Sequence, residues 1–174
     1  MYIETQRLII RNFTTEDADA LHLILGDAET MSYSEPAYTF EKTSDFLEEF
    51  CIKRNGAVAA VLKDGGKLIG YLLFHAVEED IYELGWFFNR AYWRQGYALE
   101  ACKAIIDYAF MELNIHKIFA ETIDTVKSTK LMKKLGMQME GIQRSQTKSN
   151  NGTWSDLHFY GLLKEDWMPC TDSQ

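Results

Sequence analysis

The spacing of apolar residues changes several times along the chain, and each change predicts an element. Residues 7–13, Arg-Leu-Ile-Ile-Arg-Asn-Phe, have the apolar, β-branched content of a buried strand. Thr14, Thr15, Glu16 and Asp17 follow, hydroxyls and acids suited to starting a helix. That helix carries Ala18, Leu21, His22 and Leu25 at helical spacing and ends at Gly26. A looser stretch over 31–40, with Pro36, Tyr33, Tyr38 and Phe40, leads into a second amphipathic helix over 43–54 through Phe46, Leu47, Phe50 and Cys51.

From Gly56 the period shortens. Runs over 57–62, 67–77 and 81–88 read as three antiparallel strands, broken at Asp64-Gly65-Gly66 and at Glu78-Glu79-Asp80. A helix over about 97–113 follows, with Ala101, Ile105, Ala109 and Leu113 on one face. After it come a strand over 117–123, a helix over 127–135 ended by Gly136, and strands over 139–147 and 157–163 separated by Ser149-Asn150-Asn151-Gly152. The order β-α-α-β-β-β-α-β-α-β-β predicts an α/β (α+β) layer protein, a mixed sheet with helices on its faces. No linker, repeat or low-complexity tract divides it, so residues 1–174 are expected to form a single domain.

A content of 47% hydrophobic residues is enough for one continuous core in 174 residues. The net charge of -8 argues against nucleic acid as a partner, because phosphate neutralisation needs a basic face. The same acidity suits a cationic or amine-bearing substrate. Cys51, Cys102 and Cys170 are widely spaced and form no CxxC pair, so neither a disulfide framework nor a zinc site is indicated. The four histidines show no metal-ligand spacing, and no metal is expected. Residues 1–4 contain no apolar signal core and no later run approaches a bilayer span, which reads as a soluble, cytoplasmic protein without a membrane partner. A monomer or a homodimer is expected.

The segment with the most chemical content lies between the strand ending at Phe88 and the helix starting near Tyr97: Trp93-Arg94-Gln95-Gly96-Tyr97-Ala98. A strand-loop-helix junction is an anion site, since the first helical amides have no partner within the helix and carry a partial positive charge. Gly96 and the small Ala98 would let phosphates approach the backbone, and Arg94 supplies a cation. A glycine before a helix can equally serve a turn and nothing more.

The loop resembles the acyl-CoA loop of the GNAT acetyltransferases, Gln/Arg-x-x-Gly-x-Gly/Ala, matching it at Gly96 and Ala98 and departing from it at Trp93. With Glu100-Ala101 after it, it looks like the ribosomal-protein N-terminal acetyltransferase (RimJ/RimL-like) branch. Further blocks extend the resemblance: Glu4-Thr5-Gln6-Arg7-Leu8, Glu83-Leu84-Gly85-Trp86, Leu135-Gly136-Met137, Glu140-Gly141 and Trp154-Ser155-Asp156. It implies a GNAT-like, mostly antiparallel sheet of about seven strands, splayed between the fourth and fifth.

The resemblance implies that acetyl-CoA is the cosubstrate, held by Trp93, Arg94, Gln95, Gly96, Tyr97 and Ala98 and by the backbone of Trp86, Phe87 and Phe88. Gly85, inside that strand, marks a bulge or a close backbone approach. A bulge there would help open the sheet. An amide near Trp86 or Phe87 is a candidate oxyanion donor. Glu83 is the leading candidate for the base that takes the amine proton, directly or through water, with Glu121 and Asp124 as rivals. Many relatives use a tyrosine as the acid, but alignment from Leu135-Gly136 places Met132 there and leaves Ser128 as the matching hydroxyl, for the acid and for cofactor contact. Thr125 stands where relatives commonly carry a cofactor-binding asparagine. His75 either lines the acceptor cleft or is structural, and Cys102 has no paired histidine that would make it a nucleophile.

The function implied is acetyl transfer to a primary amine by direct attack, with a protein N-terminal α-amine favoured. The alternatives are a small amine (a polyamine, an amino-acid-like metabolite or an aminoglycoside), or a non-catalytic acyl-CoA-binding regulatory module. The acceptor pocket would be built from the variable region 30–50.

Overall fold

In the computed structural model, which describes residues 1–167, the predicted apolar runs become strands of one sheet. They are β1 (Tyr2–Glu4), β2 (Leu8–Asn12), β3 (Ala57–Leu62), β4 (Leu68–Glu78), β5 (Ile81–Phe88), β6 (Lys117–Thr122), β7 (Gln138–Lys148) and β8 (Trp154–Leu163). The sheet order is β1-β2-β3-β4-β5-β6-β8-β7. The helices are α1 (Ala18–Leu25), α2 (Phe40–Phe46), α3 (Tyr97–Met111) and α4 (Lys127–Lys134).

The central strands are apolar at nearly every position because both faces of the sheet are covered. On β3, Val58 and Ala60 pack with Ile105, Ile106 and Phe110 of α3, whereas Ala57, Ala59 and Val61 pack with Leu21, Ile24 and Leu25 of α1. One strand therefore serves two cores, and alternate side chains decide which.

Differences from the sequence reading are local. β1 is an additional strand of three residues; its exposed pattern gave no hydrophobic signal. The helix expected over 43–54 starts earlier, at Phe40, and widens into π-helical turns over Leu47–Lys53. Those wide turns keep Leu47 and Cys51 buried while stacking Phe50 on Phe46, with ring centroids 5.1 Å apart. Cys51 and Cys102 are free and buried, and Cys170 lies outside the described residues.

The feature that positions the site is a split in the sheet. β5 and β6 run parallel and pair only at Ile81↔Lys117, Tyr82↔Ile118 and Glu83↔Phe119. Beyond Glu83, β5 stays on β4 through Phe88, while β6 stays on β8 through Thr122↔His158. The split falls between the fourth and fifth predicted strands, as the resemblance implied, but Gly85 is not a bulge. The β4–β5 register is unbroken from Gly70↔Phe88 to Ala76↔Tyr82, and its one shift lies between Ala76 and Glu78. Gly85 sits opposite Leu73, whose Cβ would lie 3.2 Å from a Cβ at that position, so the glycine answers to close cross-strand packing.

Candidate active site

The split opens into a cleft of about 1270 Å³. One lip is β5 with the 93–98 loop and the start of α3; the other is β6 with the turn into α4. Residues 29–35 and the β7–β8 hairpin wall one end of it.

At the loop, Arg94 (φ 61°) and Gly96 (φ 84°) both take left-handed backbone conformations, which turn the chain sharply into α3. The first bond of that helix is Glu100 N to Gly96 O (3.1 Å). The amides of Tyr97, Ala98 and Leu99 therefore stand outside the helical ladder and carry the positive end of its dipole. These three residues, with Trp93, Arg94 and Gly96, line the cleft. The Gln95 side chain turns back instead, donating to the Ala91 carbonyl (3.0 Å).

Trp93, the departure from the loop pattern, acts as a peg. Its indole Nε1 donates to the Phe88 carbonyl (2.6 Å), and the ammonium of Lys127, at the start of α4, lies 5.0 Å from its ring centroid across the cleft. A second tie comes from the N-terminal strand region. Arg7 donates to the Gln95 carbonyl through Nη1 (2.9 Å) and lays its guanidinium over the Tyr97 ring at 4.2 Å. Its Nε and backbone N–H both donate to Glu100, at 2.6 and 2.7 Å, and the Thr5 hydroxyl donates to the same carboxylate at 2.6 Å. Burial alone would push the Glu100 carboxyl up, but the bonds from Thr5 and Arg7 outweigh it and hold the group below its ordinary value.

On β5, Asn89 N bonds Ile69 O on the β4 side. Backbone groups alternate sides along a strand, so the amides of Phe87, Gly85 and Glu83 also face β4, and those of Phe88, Trp86 and Leu84 face the split. Of the two amides considered as oxyanion donors, the one at Trp86 is directed into the cleft. The side chains do the converse: Trp86 packs on the core under α3, whereas Phe87 lies against Tyr71 (5.6 Å) on the opposite face.

The far end of the cleft is acidic. Glu83 sits where the lips diverge, with its Oε2 3.2 Å from Nε2 of His75, its register partner on β4. Glu121 lies on the opposing lip, and its carboxyl is pushed up by desolvation and by the charge of Glu83. Asp124 is differently employed: its buried carboxylate accepts the backbone N–H of Val126, Lys127 and Ser128 at 2.9, 3.0 and 3.1 Å. The Ser128 hydroxyl, also on the cleft, lies 3.4 Å from the same carboxylate. Thr125 is exposed, is not among the cleft-lining residues, and accepts the Thr129 hydroxyl at its carbonyl (2.7 Å). Met132 is buried in the core.

Both signs of charge line the cleft: Arg94 on the loop lip and Lys127, Lys130, Lys133 and Lys134 of α4, Glu83 and Glu121 where the lips diverge, and Glu29, Glu35 and Lys148 in the walls formed by residues 29–35 and the hairpin. Sequence reasoning missed Arg7, Glu100, Lys127 and Asn150. The first two lie inside blocks that carried the resemblance, but nothing local says that they bond each other. Asn150 reaches from the hairpin turn to the carbonyls of Met31 (2.9 Å) and Glu35 (3.1 Å), a pairing without sequence signal. Among the described residues no group of three or more His, Cys, Asp or Glu could hold a metal ion, and no helix is long and apolar enough to cross a membrane.

Comparisons with known proteins agree with this geometry. The model of the acetyltransferase (GNAT) domain family matches residues 7–138. An uncharacterized N-acetyltransferase of Bacillus subtilis, YnaD, is 35% identical over 170 residues, covering 96% of this chain and 99% of its own. The crystal structure of a GNAT-family acetyltransferase from Bacillus anthracis superimposes with a TM-score of 0.87 at 32% identity, covering 95% of this chain and 99% of that one. The Vibrio cholerae spermidine N-acetyltransferase bound to CoA and spermine shares the fold at a TM-score of 0.80 and 23% identity, over 93% of this chain and 98% of that one. The ribosomal L7/L12 α-N-protein acetyltransferase RimL bound to CoA shares it at 0.82 and 17%, over 94% and 98%.

Proposed function

The chain belongs to the GNAT acetyltransferase family and is an acetyl-CoA-dependent N-acetyltransferase, and we propose that it acetylates a primary amine by direct attack, with a protein N-terminal α-amine as the preferred acceptor. The observation that carries this reading is a cleft with helix-end amides and Arg94 on its loop lip and a pair of carboxylates, Glu83 and Glu121, where its lips diverge. The former suit the phosphates of a long thioester, and the latter suit an ammonium.

Acetyl-CoA supplies an activated acetyl carbon, and the residues do the rest. The amides of Tyr97, Ala98 and Leu99 with Arg94 bind pyrophosphate, and the free edge of β5 from Leu84 to Phe88 pairs with the pantetheine chain. The Trp86 N–H is placed to hold the negative charge that builds on the thioester oxygen. Glu83 takes the proton of the incoming ammonium, directly or through one water, so that neutral nitrogen attacks. An α-amine, with a pKa of about 8, yields its proton far more readily than a lysine at about 10.4. A C–N bond forms as the C–S bond breaks, and the second proton shed by the acylated nitrogen passes through water to the departing sulfur, so that CoA is released as the thiol. A thiol pKa of about 8.5 makes the departing sulfur a tolerable anion, so a hydrogen bond from the Ser128 hydroxyl suffices there.

A second reading has its own observation. Glu83 and Glu121 face each other across the cleft and Glu29 and Glu35 also line it, more acid than one α-amine requires, which favours a small polyamine. A panel of peptides, polyamines, amino acids and aminoglycosides, read by CoA release, separates the two. Peptides turning over best supports the first, polyamines the second. Tight acetyl-CoA binding without turnover of any amine would overturn both. Calorimetry with acetyl-CoA on an Arg94→Ala, Gly96→Asp double variant tests the loop, and unchanged affinity would refute its assignment.

A further inference from the structure

His75 and Glu83 face each other in register on β4 and β5, and both side chains are largely shielded, at 30% and 22% exposure. The Phe50 ring, edge-on at 5.7 Å, closes over the imidazole. The ring has two neighbours. Nδ1 lies 3.2 Å from the Ala76 carbonyl and Nε2 lies 3.2 Å from Glu83 Oε2. A carbonyl only accepts, and so does an ionised carboxylate; a neutral imidazole offers one N–H. Either neutral tautomer leaves a lone pair of the ring against a lone pair of oxygen. The doubly protonated ring satisfies both contacts at once. Glu83 Oε1 has no hydrogen-bond partner among the described residues.

We propose that His75 is a positioning residue for the acetyl transfer: as an imidazolium it pins Oε2 of Glu83, keeps that carboxylate ionised and leaves Oε1 free to receive the amine proton. This rests on the reading of Glu83 as the base. The other ionisable groups facing the pair are Glu121 from β6 and Tyr71 from β4. Glu121, which has no cation bonded to it among the described residues, is pushed up by burial and by the charge of Glu83, whereas Glu83 has His75 against its Oε2. His75 adds no covalent step. The proton leaves the amine for Glu83 and passes to water at the cleft.

The test has two arms. In the first, the His75 ring is followed by NMR through a pH titration of the whole protein and of Glu83→Gln, with His75→Gln used for assignment. Both ring N–H protons of His75 are expected to be observed in the parent protein, and the Nε2–H signal to be lost in Glu83→Gln. A ring spectrum unmoved by Glu83→Gln would overturn the pairing. In the second, kcat/KM is followed against pH with the best amine of the panel. His75→Ala is expected to lower kcat about tenfold, leave the KM for acetyl-CoA unchanged and move the acid limb to higher pH, since Glu83 loses its cation. His75→Gln, which restores a neutral donor at the Nε2 position, is expected to recover kcat but not the acid limb. An acid limb unmoved in both variants would overturn the positioning role. Full turnover in Glu83→Gln would overturn the base assignment instead, and the NMR arm tells the two failures apart.

Discussion

Replacing Glu100 by glutamine tests whether the loop at 93–98 is held from the N-terminal region. The wild-type carboxylate accepts from Thr5 Oγ1, Arg7 N and Arg7 Nε, all within 2.7 Å, and its side chain is 16% exposed. Glutamine keeps the shape but offers one acceptor oxygen and one NH2, so a donor is turned onto a donor and the charge is lost. A hydrogen bond to a charged group contributes about 1.5–3 kcal/mol, and the partial exposure of Arg7 argues for the lower half, about 2 kcal/mol. For a domain of this size that corresponds to a fall in Tm of about 4–8 °C, measurable by calorimetry or fluorescence. The sign with pH is fixed. The folded-state pKa of Glu100 lies below its unfolded value, so the stabilisation is complete above the unfolded value of about 4.3 and is lost as pH falls through the folded one. The Tm gap between parent and variant should therefore be full at pH 7 and shrink below about pH 4. Acetyl-CoA affinity should weaken with it, because Arg7 freed from Glu100 no longer fixes the Gln95 carbonyl. A variant whose Tm matches the parent at pH 7 would refute the reasoning.

Three further outcomes follow from the same contacts. Gly96→Ala places a side chain at φ 84°, where an L-residue is disfavoured by about 1–2 kcal/mol; the nearest atom to the new Cβ, Arg7 Nη2 at 3.4 Å, is no obstacle, so a roughly tenfold loss of acetyl-CoA affinity by calorimetry would come from backbone strain. Asp124→Ala orphans three backbone donors at the start of α4 and should cost about 2–3 kcal/mol in urea unfolding, with an unchanged m-value. Asn150→Ala removes two bonds to the Met31 and Glu35 carbonyls, so amide exchange over 29–38 should accelerate and the acceptor KM rise while the KM for acetyl-CoA holds.

What the sequence made legible was whatever local chemistry determines. Strand and helix periods placed α3 and β5, and the loop between them followed from Gly96 and its flanks. Gly85 misled because a strand glycine has two explanations, a bulge or close packing, and only the position of Leu73 across the sheet chooses between them. Asp124 looked like a rival base because a carboxylate in a loop advertises its charge and not its partners; in the fold its oxygens are occupied by three amides. His75 stood eight residues from Glu83 with no mark of their relation, and their contact depends on the turn at 79–80 together with the one-residue slip at Val77, between Ala76 and Glu78. The ties through Arg7 and Asn150 span 93 and 119 positions, beyond the reach of any local pattern.

The Asn150 tie bears on the order in which the enzyme is assembled. Chains emerge from the ribosome N-terminus first, and a contact spanning 119 positions must wait for its late partner. The 93–98 loop and its Arg7 brace are synthesised by residue 100, whereas residues 31–35 are fastened beside the cleft only when the last hairpin has been made. A nascent chain halted near residue 145 would thus own that loop and Glu83 but an unfastened cleft wall. On the proposed function, discrimination among amines is then the last property this molecule acquires.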